Sequence, residues 1–86
     1  MSARVLLIGK PECHLCDDAR VIVAQVCAEL GEQWADQSIL DDVSLYDEYW
    51  DKIPVVLVDG RLHDFWKVDS KRLRSALTDN RIQTSD

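Results

Sequence analysis

The chain opens on an unbroken apolar run, Val5-Leu6-Leu7-Ile8, inside the segment Ala3 to Gly9. A run without polar alternation predicts a strand covered on both faces, and Pro11 ends it. From His14 to Leu30 the apolar positions fall at Leu15, Ala19, Ile22, Val23, Val26 and Leu30. Steps of three and four predict a helix with one core-facing stripe, and Gly31 is placed to stop it. Gln33 to Leu40 reads as a second, weaker strand. Ser44-Leu45-Tyr46-Asp47 fits a capping box opening a short helix through Tyr49 and Trp50. Pro54 limits that helix, because the residue before a proline disfavours helical backbone. Val55 to Val58 is another apolar strand, Asp59-Gly60 a two-residue hairpin turn, and Arg61 to Lys67 the returning strand. Asp69 then caps a last helix, Val68 and Leu73 are spaced for a hydrophobic staple, and Leu73, Ala76 and Leu77 face the core. Asn80 to Asp86 reads as a frayed tail.

The resulting order is β-α-β-α-β-β-α, and a β-α-β start on a buried strand predicts an α/β sheet with helices on its faces. With 86 residues and no repeat or linker, residues 1–86 form a single domain. Hydrophobic residues at 47% and charged residues at 30% are ordinary for a globular chain. No apolar run approaches the ~20 residues of a membrane helix, and Val5 to Ile8 is too short for a signal-peptide core. A cytoplasmic monomer is expected, with no membrane partner. There, paired thiols more often serve catalysis or metal binding than structure. A net charge of −6 lacks the basic footprint of a nucleic-acid binder. Glu29 to Asp51 carries eight acids and no Lys or Arg, whereas Arg61 to Arg81 carries six bases against three acids. That asymmetry reads as two solvated faces of opposite sign.

Cys13 and Cys16 fall where the first strand hands over to the first helix, the end of an open α/β sheet where sites gather. The attacking form of a thiol is the thiolate, and a helix N-terminus supplies free N–H groups and partial positive charge. Cys13 is placed to receive both. Cys16, one turn further in, reads as the sheltered resolver of an accessible attacker. Cys27 lies three turns past Cys16, too far to bridge it within one helix, and reads as a packing thiol. His14 reads as an exposed helix-start residue whose cation would favour the neighbouring thiolate. Trp34, Trp50 and Trp66 read as packing residues, and His63 as packed or solvated. A closed zinc site takes four ligands. Cys13, His14, Cys16, Cys27 and His63 are the soft candidates, without a second cysteine pair, so no metal site is assigned.

Three features in order, KPECHLC after the first strand, KIPVVLVDG opening the third, and the strand-helix ending from Arg61 to Leu77, resemble a glutaredoxin-like protein of the thioredoxin-fold superfamily. The resemblance spans roughly Arg4 to Leu77. It implies a thioredoxin/glutaredoxin-like fold, a four-stranded mixed sheet with three helices. It also implies a thiol–disulfide oxidoreductase whose Cys13 and Cys16 reduce or exchange disulfides. It further implies a cis bond at Ile53–Pro54, with Pro54 beside the active cysteine and the backbone of Ile53 presented to an extended substrate. Lys10 matches the basic residue that faces a glutathione carboxylate, and Asp69 a helix cap that meets a ligand's amino group. With His14, these make up the substrate-binding candidates. Two departures stand out. His14-Leu15 replaces the usual Pro-Tyr between the cysteines, and Trp66-Lys67-Val68-Asp69-Ser70 lacks the Gly-Gly that grips the glutathione backbone. The resemblance implies no bound cofactor, with electrons supplied by glutathione, another low-molecular-weight thiol or a thioredoxin reductase. The substrate is then a disulfide-containing protein or a small-thiol mixed disulfide. Two readings of other classes stand beside it: an iron–sulfur or other metal-binding module, and a thioredoxin-fold binding module without turnover.

Overall fold

The structure, a computed structural model, describes residues 3–84. Strand β1 (Val5–Gly9) leads into helix α1 (His14–Leu30) and strand β2 (Trp34–Ser38). A 3-10 turn (Ile39–Asp41) precedes helix α2 (Val43–Tyr49), and strands β3 (Val55–Val58) and β4 (Arg61–Phe65) precede helix α3 (Ser70–Thr84). The strands form one mixed sheet in the order β2-β1-β3-β4. β1 runs parallel to β2 and antiparallel to β3, and β3 pairs antiparallel with β4. This is the four-stranded α/β sheet with three helices that the apolar pattern predicts.

Both faces of the central strands are covered, which is why Val5 to Ile8 and Val55 to Val58 are apolar at every position. On one face Val5, Leu7 and Val56 pack with Ala19, Val23, Val26 and Cys27 of α1 and with Leu73 and Leu77 of α3. On the other face Ile8 and Val55 meet Ile39, with Leu45 and Tyr49 of α2 against them. Burying such side chains contributes about 1.5–3 kcal/mol each, which is the main force joining the layers.

Helix α1 spans the residues its periodicity predicts. Gly31 ends it in the left-handed region at φ 68°, and its N–H donates to the Cys27 carbonyl. The buried stripe is Cys16, Ala19, Val23, Val26 and Cys27, with Ile22 and Leu30 half-buried at its margin. Leu15, expected on that stripe, is exposed. It sits about 100° round the helix from Cys16, so the thiol takes the inward place instead.

Other expectations shift at their edges. β1 begins at Val5 rather than Ala3, and β2 stops at Ser38 because Ile39 and Leu40 turn into the 3-10 segment. The capping box forms there: Leu40 N–H donates to Ser38 Oγ (3.0 Å) and Ser38 N–H to Asp41 Oδ2 (3.1 Å). With that turn ending at Asp41, Asp42 is the extended residue that starts α2, and its Oδ1 accepts the Ser44 N–H at 2.8 Å. Ser44 is therefore inside the helix and not its cap. Trp34 packs against the core, whereas Trp50 and Trp66 are exposed, contrary to their reading as packing residues. β4 ends at Phe65 rather than Lys67. α3 continues to Thr84, through residues read as tail; Ser85 and Asp86 lie outside the described residues.

The β3–β4 turn is built on Asp59 (φ 53°) and Gly60 (φ 82°), both left-handed as a tight hairpin with right-twisted strands requires. Past the turn, Leu57 pairs with Leu62 but Val56 with Asp64, leaving His63 as a bulge. The bulge turns Leu62 outward and Asp64 into the interior. At the same end of the sheet, the Arg4 guanidinium holds both oxygens of Asp59 at 3.0 Å and Glu32 Oε2 at 2.7 Å. The Asp59 N–H donates to the Arg4 carbonyl at 2.8 Å. The start of β1, the exit of α1 and the hairpin turn are thus tied to one side chain. No helix among the described residues is long and apolar enough to cross a membrane.

Candidate active site

The turn from Lys10 to Glu12 carries the chain from β1 into α1, and Glu12 makes it at φ 57°, a left-handed value uncommon for a residue with a side chain. Cys13 then takes the extended backbone of an N-cap (φ −126°, ψ 113°). Its Sγ accepts the Cys16 N–H at 3.2 Å, and its carbonyl accepts the Asp17 N–H at 3.0 Å. The sulfur does what a serine or aspartate oxygen does at a helix start, and it lies in the field of the helix N-terminus. Cys13 is half-buried.

Cys16 is fully buried, one turn in, against the last residue of β1. The space is made by Gly9: a Cβ there would stand 3.0 Å from Cys16 Sγ and 3.2 Å from Cys16 Cβ. Both thiols are free. Burial, followed by the hydrogen bond and charge of Cys13, pushes the Cys16 thiol up to about 11. A backbone hydrogen bond with Lys10 and the charge of Arg20 oppose that rise. Arg20 itself is held by Asp36 (2.7 Å) and Asp17 (2.9 Å). Cys27, deeper in α1, is also pushed up by burial, which keeps it a neutral core thiol. A thiol whose pKa rises on folding stabilises the fold while it is protonated, so its contribution is present below its ordinary value of 9.0 and is lost as pH climbs towards about 11. The urea midpoint of the reduced protein should accordingly fall over that interval, and fall less in Cys16→Ala; a midpoint flat from pH 9 to 11 would contradict the burial of this thiol.

The Ile8–Val55 pair of the β1–β3 ladder sets the segment before β3 alongside the turn that leaves β1. Pro54 is fully buried, Ile53 is half-buried, and the peptide bond between them is cis. Lys10 and His14 are exposed; Lys10 borders an open cleft of about 390 Å³ with Pro11, Glu12, Tyr46 and Trp50. Asp69 caps α3, its Oδ1 accepting the N–H groups of Lys71 (2.8 Å) and Arg72 (3.3 Å), so its carboxylate is already engaged. The structure therefore gathers Lys10, Cys13, His14 and Cys16 on one strand-to-helix turn, with Ile53 and Pro54 beside it. Asp69 is reached through the loop that follows β4.

Three features here went unread in the sequence. Trp66 N–H donates to Pro54 O (2.8 Å), and Trp66 adopts φ 65°, a second side-chain-bearing residue in the left-handed region beside this site. Left-handed non-glycine residues cluster at functional sites, and Glu12 and Trp66 flank this one. Asp64 is a carboxylate buried behind the loop, accepting the N–H groups of Phe65 (3.0 Å) and Asp69 (3.3 Å), with Arg72 at 3.7 Å. Gly9 was legible, since a glycine ending an apolar strand marks a close approach. His63, on the bulge, has a buried Nε2 with no hydrogen-bond partner, and burial lowers its pKa. Among the described residues, no group of three or more His, Cys, Asp or Glu side chains converges to hold a metal.

The family described as Glutaredoxin-like domain (DUF836) matches residues 4–78. Uncharacterized protein Rv0508 of Mycobacterium tuberculosis is 36% identical over 80 residues, covering 84% of this chain and 79% of that protein. Uncharacterized protein Mb0520 of Mycobacterium bovis matches to the same extent. Among solved structures, the X. campestris structural-genomics target XcR50 is 33% identical, with a TM-score of 0.72 over 87% of this chain and 96% of that one. Fasciola hepatica thioredoxin, at 19% identity, has a TM-score of 0.61 over 87% of this chain and 77% of its own, a likeness of fold.

Proposed function

The chain belongs to the glutaredoxin-like family, and from that premise we propose that it is a thiol–disulfide oxidoreductase in which Cys13 attacks and Cys16 resolves. The observation that carries this reading is the pairing of a half-buried Cys13, whose sulfur accepts a helix N–H, with a buried Cys16 one turn beneath it. The Cys13 thiolate attacks one sulfur of a substrate disulfide. A Cys13–substrate disulfide forms, the substrate S–S bond breaks, and the departing thiolate takes a proton. Two of the causes that raise the Cys16 pKa, the hydrogen bond and the charge of Cys13, are removed when Cys13 is in that mixed disulfide. Cys16 can then yield its proton to the leaving group and attack Cys13 Sγ. The second substrate thiol is released and a Cys13–Cys16 disulfide remains, two electrons having passed to the substrate. An external thiol or a reductase returns them; a disulfide-bearing protein in a reducing cytoplasm is the substrate that this chemistry suits. Ile53 and Pro54 border the attack position, and the Lys10 ammonium supplies positive charge beside it, with His14 exposed at the helix start.

The test is a coupled assay of disulfide reduction. One arm supplies glutathione with its reductase and the other thioredoxin reductase, with dithiothreitol as the reference donor. Turnover is expected with dithiothreitol and with the thioredoxin reductase arm. Weak or absent turnover is expected with glutathione, because the bulky Trp66-Lys67-Val68 stretch replaces glycines that allow close backbone approach. A protein that reduces no disulfide with any donor would remove the proposal.

A further inference from the structure

Trp66 combines exposure with immobility. Its side chain stands half open to solvent, at 56%. Yet its N–H donates to Pro54 O (2.8 Å) and Lys52 O (3.3 Å), and its indole N–H donates to Asp51 O at 3.0 Å. Phe65 braces the ring edge-on, centroids 5.0 Å apart at 72°. All three hydrogen bonds go to the segment that ends in the cis Ile53–Pro54 bond. The backbone is left-handed at φ 65°, a conformation that a Cβ disfavours. Glycine would make the same backbone hydrogen bonds without that strain, so the indole's own share in the fold is its bond to Asp51 O and its edge contact with Phe65, which together still leave the ring half open to solvent.

What the indole does is form a wall of an open groove of about 410 Å³, with Leu15, Ala19, Ile22 and Val68 among the other linings. Leu15 is one of the two residues between the cysteines, and 46% of it is exposed. The groove therefore reaches the first turn of α1, the turn that Cys13 caps. Its two charged linings, Asp18 and Lys67, are of opposite sign. A charged occupant is attracted by one and repelled by the other, while an uncharged apolar group meets apolar walls. Rigid, exposed tryptophans beside apolar walls are the usual anchors of recognition, because little conformational freedom is lost on binding.

We propose that Trp66 is a specificity-determining residue of the thiol site, an anchor for an apolar side chain adjacent to the cysteine of a disulfide-bonded polypeptide. This rests on the oxidoreductase reading and adds a substrate class to it: polypeptide disulfides flanked by apolar residues, in preference to the charged tripeptide glutathione. The anchor binds; the bonds made and broken are those of the exchange already described.

The experiment uses two disulfide-linked peptides, identical except that leucine or serine follows the cysteine. The pre-reduced full-length protein is mixed with each in single turnover, and released thiol is followed with time. The wild type is expected to react about tenfold faster with the leucine peptide, equivalent to about 1.4 kcal/mol. In Trp66→Gly the ratio should fall to about one, and in Trp66→Phe it should stay mostly intact. The rate of iodoacetamide labelling at Cys13, read by mass spectrometry, should change less than about twofold in both variants, since loss of an anchor leaves the thiol in place. A ratio near one in the wild type, a ratio unchanged by Trp66→Gly, or faster reaction with glutathione disulfide than with either peptide would overturn the proposal. If the wild type reduces neither peptide yet is labelled at Cys13, the oxidoreductase reading fails by itself. The anchor is then decided by the rate of N-benzylmaleimide relative to N-methylmaleimide at Cys13: Trp66→Gly must lower that ratio, and an unchanged ratio overturns the anchor as well.

Discussion

Cys13→Ser should lower disulfide reduction by at least about 10³-fold, the scale on which enzymes lose rate when a nucleophile is removed. The loss should not come from unfolding. Serine is among the best helix N-caps, and its hydroxyl can accept the Cys16 N–H that Cys13 Sγ accepts at 3.2 Å. Thermal stability within about 1 kcal/mol of wild type is therefore expected alongside the lost activity. Cys16→Ser should behave differently. It keeps the backbone donor to Cys13, so attack proceeds, but no thiol is left to resolve the product. A mixed disulfide through Cys13 should accumulate and be visible as an intact-mass adduct. An adduct on Cys16 in the Cys13→Ser variant would reverse the assignment. Such a result would also be hard to reconcile with a thiol that is fully buried and pushed up to about 11.

The second large effect is expected at Leu73→Ala. Leu73 is fully buried and belongs to the cluster that joins α3 to β1, α1 and β3. It also sits one turn into α3, its N–H bonded to the Asp69 carbonyl at 3.1 Å, where it staples Val68. Truncating a buried leucine costs about 2–5 kcal/mol, the transfer of the lost methyls plus the cavity left behind. In a domain this small each kcal/mol lowers the melting temperature by about 4–8 °C, so a drop of more than about 10 °C should appear in a thermal scan. Leu62→Ala is the control: Leu62 is half exposed on the outer face of β4, and a change within about 0.5 kcal/mol is expected. Equal effects at the two positions would mean that α3 is not part of the cooperative core.

Elements written in strong local signals were legible in the sequence. The apolar runs of β1 and β3, the full extent of α1, the Asp59-Gly60 turn and the Asp69 cap each rest on residues close together in the chain. What escaped depends on register or on distant partners. Leu15 looks like a core leucine until Cys16 is recognised as the inward residue, one position round the helix. The capping signal at Ser44 was real chemistry in the wrong place, since Ser38 with Asp41 and then Asp42 occupy the two starts that precede it. Leu62 and Asp64, which a regular strand would place on one face, part because a single bulge at His63 breaks the alternation of β4, leaving Leu62 outside and Asp64 inside. Trp66 was the hardest to foresee: tryptophan is a poor guess for a left-handed backbone, and only the carbonyls of Asp51, Lys52 and Pro54 explain how it is held. The placement of the cysteine pair was the most readable part of the site, because the end of β1 and the start of α1 are both written in neighbouring residues. The Asp64 support behind the loop came only from three-dimensional packing.

The Arg4 tie has a bearing on how the molecule divides its work. Arg4 precedes β1 and Cys13 follows it, so the guanidinium and the thiols occupy opposite poles of the sheet. One pole is a knot: a single cation fastens three chain segments through two carboxylates, 28 and 55 residues away along the chain. The other carries the thiols, with left-handed residues on either side of Cys13 and open grooves nearby. Salt screens the interactions of solvent-accessible charges. Raising ionic strength should therefore slacken the knot while leaving the thiol pole, whose order comes from backbone hydrogen bonds and packing, largely as it was. The salt-sensitive end and the end that carries the thiols are thus held apart by the five residues of β1.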